Sequence, residues 1–141
     1  MTALDSLVRV HRWILDEKRR KLGELQELAG KLKDDLRRLQ EDLANEQEVA
    51  SRSIEGTVAF PAFIAAARER GQRLRDSIAR MERAIETTRD EVQAAFQEAE
   101  TYKLASDNHA RRERDRLSRR EQVDLDELAA SRYRRRTRGR D

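Results

Sequence analysis

Apolar residues recur along this chain in alternating steps of four and three, in two long runs. The first is Leu4, Val8, His11, Leu15, Lys18, Leu22, Leu25, Ala29, Leu32, Leu36, Leu39, Leu43, Glu46 and Ala50. The second is Phe60, Ile64, Ala67, Gly71, Leu74, Ile78, Met81, Ile85, Thr88, Val92, Ala95, Ala99, Tyr102, Ser106 and His109. Eleven of the fourteen positions in the first run and eleven of the fifteen in the second are apolar. A mean step of 3.5 residues held over many turns is the seam of a left-handed coiled coil, because two helices keep such a stripe in contact by winding around each other.

The punctuation between and around the runs predicts the elements. Thr2 with Asp5 three residues on is a capping pair for the first helix. Only Gly23 and Gly30 interrupt that helix, each at a cost of about 1 kcal/mol relative to Ala, and neither lies on the seam. Ser51, Ser53, Gly56 and Thr57 then precede Phe60 and Pro61. Proline suits the first turn of a helix and pushes the residue before it toward extended backbone. The spacing therefore predicts helix one over about 3–52, a turn over about 53–60 and helix two over about 61–130, with 131–141 as an Arg-rich flexible tail.

Folding back antiparallel lets one chain bury both stripes, so the predicted class is all-α: an antiparallel two-helix coiled-coil hairpin with a C-terminal helical extension and a basic disordered end. With the turn near residue 57, partners carry numbers adding to about 114, which pairs Leu39 with Leu74 and Leu4 with His109 and brings both termini to one tip. Residues beyond about 112 are left without a partner, and there Leu117, Leu125 and Leu128 make only a thin stripe. The first helix alone spans roughly 70 Å at 1.5 Å per residue, so function is sought on a surface.

Composition agrees with a slender fold. The 141 residues are 42% charged, 37% hydrophobic and only 4% aromatic, too little apolar mass for a globular core but enough for a seam. A single two-helix seam is expected to be marginally stable, so partner binding or self-association would favour the ordered state. No apolar run reaches the roughly 18 residues a bilayer span needs, and the N-terminus lacks the order of a secretion signal; the expectation is a cytoplasmic protein. There is no cysteine, hence no disulfide and no thiolate metal site. From Arg111 onward twelve arginines (111, 112, 114, 116, 119, 120, 132, 134, 135, 136, 138, 140) face seven acids (Glu113, Asp115, Glu121, Asp124, Asp126, Glu127, Asp141), so the tail is basic and the rest slightly acidic.

Candidate chemistry is sparse. The glycines are scattered and none opens a Gly-Lys-Ser/Thr run, which argues against nucleotide hydrolysis. His11 and His109 both take seam positions near one end; two ligands make a weak metal site, and polar seam residues are the plainer reading. Carboxylates on a convex helix surface lack the cleft that would tune an acid and a base, so no catalytic residue, cofactor or metal is expected. Trp13 flanks the seam, where edge packing is expected, and Tyr102 continues it. The Arg tail suits nucleic acid, acidic lipid or an acidic partner, but only Tyr133 interleaves an aromatic, which disfavours reading of single strands.

Several segments give the chain a family resemblance. They are Asp16-Glu17-Lys18-Arg19-Arg20, Glu46-Gln47, Phe60-Pro61-Ala62-Phe63 with Ala65-Ala66, Ala95-Phe96-Gln97-Glu98, and Arg120-Glu121-Gln122-Val123-Asp124-Leu125-Asp126-Glu127. In order, length and central turn the chain resembles the FliJ family of flagellar export proteins, in the form found in alphaproteobacteria. The resemblance implies a non-enzymatic adaptor of the flagellar type III export apparatus, an antiparallel coiled coil similar to the long helices of a rotary-ATPase gamma subunit. It further implies three partners: the hexameric export ATPase, the cytoplasmic domain of the export gate FlhA, and export chaperones, with no small-molecule substrate. The place implied is the cytoplasmic face of the inner membrane. The gate-binding positions of the family, spaced four, three and four apart, fall here on Phe60, Ile64, Ala67 and Gly71, with Leu39 and Leu43 at matching depth on helix one. Candidates for the ATPase-facing end are Arg9, Arg12, Lys18, Arg19 and Arg20 with Glu121, Asp126 and Glu127. Alternatives are a basic-tailed coiled coil that binds nucleic acid, an injectisome-type export stalk, and a structural spacer that self-associates.

Overall fold

The chain enters its first helix through a reciprocal cap. The Asp5 N–H donates to Thr2 Oγ1 (3.2 Å) while the Thr2 N–H donates to the Asp5 carboxylate (3.1 Å), satisfying two amide donors that a bare helix start leaves unpaired. From this cap α1 runs Ala3–Ala50 and, after three residues, α2 runs Ile54–Arg138. The structure, a computed structural model, describes residues 2–139, and no strand occurs among them. The all-α class expected from the 3.5-residue period is what forms.

The chain divides into two compact units, one drawn from Met1–Arg12 with Gln97–Asp141 and the other Trp13–Phe96. Within the second unit the helices run antiparallel. Lys18 Nζ lies 3.0 Å from Glu91, Lys33 Nζ lies 2.9 Å from Glu82, and Leu39 packs at Gly71. Leu39 thus meets Gly71 about one helical turn from the expected Leu74, a small shift toward the turn. Within the first unit the same sense holds. Ser106 donates to Asp5 (2.8 Å), and the His11 ring stacks on Tyr102 with centroids 4.3 Å apart.

Burial follows the two stripes closely. Leu15, Ala29, Ala67, Ile85, Thr88, Ala95 and Ala99 are buried, and every other seam position is at least partly covered except Glu46 and His109. Small residues sit at many of the buried points. They allow helix backbones to approach, and the price is a thin core in which no side chain is fully sealed.

The turn lies earlier than expected. It occupies residues 51–53, whereas about 53–60 was predicted, and α2 starts seven residues ahead of Pro61. The cause is Ser53, whose hydroxyl accepts the Gly56 N–H at 2.9 Å as an N-cap. Thr57 Oγ1 adds a hydrogen bond to the Ala50 carbonyl (2.7 Å), tying the first turn of α2 to the end of α1. Pro61 consequently stands inside the helix, where it cannot donate to the carbonyl four residues back.

The other difference is at the C-terminus. Helix was expected to stop near Ala130, yet α2 continues through Arg138. Arginine is a good helix former, no glycine or proline intervenes before Gly139, and cations suit the negative end of a helix. Arg140 and Asp141 of the expected tail lie outside the described residues. Among the described residues no helix is long and apolar enough to cross a membrane.

Candidate functional site

Beside the turn, in the unit Trp13–Phe96, the gate-type candidates are partly drawn together. Leu39, Leu43, Ala67 and Gly71 line one groove with Leu36, Gln40, Arg68, Gln72 and Arg75. Ala67 and Gly71 are buried, Leu39 and Leu43 are half-covered, and so are Phe60 and Ile64, which lie outside that groove. The apolar surface that is open to a partner is instead formed by Val49, Ile54 and Val58. Ile54 is 86% exposed and Val58 77%, an unusual state for β-branched residues on ordered helix. Sequence reading missed them because a turn was assigned where α2 already runs; a Ser-X-X-Gly cap before an apolar residue was the signal that could have found the helix start.

The ATPase-type candidates fall in both units and differ in how far they are already engaged. In the unit Trp13–Phe96, Lys18 is paired with Glu91 across the helices. Arg20 spans Glu17 (2.8 Å) and Glu24 (2.7 Å), and Arg19 lies 3.9 Å from Asp16. The hydrogen bond and charge of Lys18 hold the Glu91 carboxyl below its ordinary value, and the hydrogen bond from Arg20 does the same for Glu17. Glu17 in turn raises Arg20. These charges are spent on the helix surface, so their availability to a partner is reduced.

In the other unit Arg9 and Arg12 are exposed and enter no ion pair among the described residues. Glu121 and Glu127 are likewise exposed and unpaired, and Asp126 accepts a hydrogen bond from Gln122 (3.1 Å). Asp5 is held below its ordinary value first by the Thr2 backbone N–H, then by the Ser106 and Thr2 hydroxyls. His11 is half-buried against Tyr102 with its Nδ1 3.6 Å from Glu98, whereas His109 is exposed. Trp13, expected to pack along the seam edge, is 64% exposed.

The charged and apolar candidates stand on convex helix, and what they can do is make complementary contact with another body. The family model described as "Flagellar FliJ protein" matches residues 1–138 of the chain. No curated protein and no solved structure matches it.

Proposed function

Because this chain belongs to the FliJ family and is thereby a component of the flagellar export apparatus, we propose that it serves there as an adaptor between the export ATPase and the export gate. In this reading it is non-enzymatic, works in the cytoplasm at the inner face of the inner membrane, and also handles export chaperones. The unit holding the turn meets the cytoplasmic domain of FlhA through Phe60, Ile64 and the open Val49, Ile54 and Val58. The unit holding residues 2–12 meets the ATPase hexamer through Arg9 and Arg12, with Glu121, Asp126 and Glu127 beside them in sequence role.

The observation that carries the reading is the family match over nearly the whole chain. Charge supports the division of labour. Arg9 and Arg12 are unengaged cations that can follow an acidic lining with adjustable pairing, whereas the apolar tip residues suit a drier contact.

The test is direct binding of the purified chain to the export ATPase and to the gate's cytoplasmic domain. Ile54→Ser with Val58→Ser should weaken gate binding by about tenfold or more and leave ATPase binding intact. Arg9→Glu with Arg12→Glu should do the converse. A deletion strain that swims and secretes filament protein normally would refute the adaptor role.

A further inference from the structure

Beyond Arg116 the C-terminal stretch of α2 carries an exposed apolar face and charges that enter no ion pair among the described residues. From residue 114 to residue 139 every position is exposed except Ser131, which is partly covered. Leu125, Leu128, Ala129, Arg132, Tyr133 and Arg136 line one shallow groove and therefore share one face. Leu117 and Glu121 continue that face toward the N-terminal side at steps of four. Leu125 is 60% exposed and Tyr133 69%, and single scattered residues do not account for a repeating stripe of this kind.

Charge along the stretch is sorted into blocks. Residues 121–127 hold Glu121, Asp124, Asp126 and Glu127 with no base; residues 132–138 hold Arg132, Arg134, Arg135, Arg136 and Arg138 with no acid. None of these nine enters an ion pair among the described residues, although ion pairs three or four apart are frequent elsewhere on the same two helices. Arg132 with Arg136 and Arg134 with Arg138 place like charges four apart, which works against the helix they stand on. A partner that brings acid to the arginine block and base to the acid block would relieve both.

A second copy of this chain, reversed, meets that requirement. We propose that two copies pair antiparallel through residues 121–136 of α2, with Leu125, Leu128 and Ala129 meeting about the pair axis and the acidic block of each chain against the arginine block of the other. In that arrangement Glu121 faces Arg136 of the second copy and Asp124 faces its Arg135, each contact occurring twice by symmetry. Parallel pairing sets like blocks together and is disfavoured. An anionic lipid surface would attract the arginines but repel Glu121 on the same face. The pairing draws on Glu121, Asp126 and Glu127, which the proposed adaptor role gives to the export ATPase, so self-pairing and ATPase binding compete for one surface, while the concentration dependence of mass is read without the ATPase.

The experiment follows mass against concentration for the full chain by sedimentation, from about 1 to about 500 µM. The expected result is a rise from 16.5 kDa toward twice that mass, weaker at high salt. Glu121→Arg with Asp124→Arg, and separately Arg135→Glu with Arg136→Glu, should each weaken association by about tenfold or more, and an equimolar mixture of the two variants should restore it. Because restoration is read in the mixture, a loss of helix in either variant alone does not blur the outcome. The chain has no cysteine, so Ala129→Cys should form an intermolecular disulfide readily and Leu117→Cys should not. A chain that stays at 16.5 kDa throughout, with or without capture by vesicles of anionic phospholipid, overturns the proposal. So does association that neither charge reversal alters, which would assign it to the seam.

Discussion

At the scale of single residues, three glycines in helix differ in what surrounds them. A Cβ on Gly30 would meet nothing within 4 Å, so Gly30→Ala removes backbone freedom without a clash and should stabilise the fold by about 1 kcal/mol in a denaturant titration. A Cβ on Gly71 would touch Leu39 and Arg75 at 3.6 Å, ordinary contact, so alanine is accommodated there too. Gly56 is the opposite case. Its Cβ would lie 2.7 Å from Ser53 Oγ, the capping hydroxyl itself, and 3.0 Å from the Ala50 backbone. Gly56→Ala should therefore destabilise, by about 1 kcal/mol, since the cap and the end of α1 must both shift.

Acid sensitivity belongs to the same scale. Glu91, facing Lys18, is held below the ordinary glutamate value of 4.5, and Asp5 below the ordinary aspartate value of 3.8. A carboxyl lowered in the folded state stabilises at pH above its ordinary value, and this contribution is lost as pH falls through the folded one. Melting temperature should thus fall as pH drops below about 4.5, and Glu91→Gln should flatten that acid limb while lowering the melting temperature at neutral pH. An unchanged acid limb in Glu91→Gln would show that the Lys18 contact contributes nothing to the fold.

Elements are decided by competition between local signals, and the start of α2 is the instructive case. Ser53→Ala should cost about 1 kcal/mol by removing the N-cap, while Pro61→Ala should gain up to about 3 kcal/mol by returning a donor to a helix interior. Both are readable as shifts in urea midpoint. Had α2 begun at Pro61, the second change would be near neutral. The period of the apolar positions made the seam and its antiparallel sense legible, because all 29 seam positions must agree on one stripe, while the register came out about one turn away. The turn was not legible in the same way: Phe60-Pro61 argued locally for a helix start, and the cap of Ser53 on Gly56 outweighed it. Glu46 and His109, the two uncovered seam positions, are polar and keep their side chains in water. The extent of α2 past Ala130 was hidden for a related reason: a run of arginines reads as a solvated tail, yet arginine is also a good helix former.

For the molecule as a whole, family membership fixes the setting, and apart from the groove shared by Leu39, Leu43, Ala67 and Gly71 the candidate contact residues are spread over helix surface. That is why the gate-type and ATPase-type residues could be named from a resemblance but not from the pattern of the chain: a solvated charge and a docking charge look alike until a partner is present. Local stability offers a reading of the intact chain. Amides in 114–138 lack tertiary cover and should exchange with solvent within about tenfold of the unstructured rate in dilute protein, whereas those around Ala29, Ile85 and Thr88 should be protected strongly. Uniform protection across both regions would contradict the exposure described here.

A helix with nothing to lean on in its own chain has a fate set by its surroundings. Proteases cut what unravels first, and the arginine-bearing stretch beyond residue 114, lacking tertiary cover, should be cut before the paired helices. Abundance and lifetime become linked: chains that find company shield the vulnerable segment, and solitary ones present it for trimming, which makes turnover a gauge of how many copies are engaged.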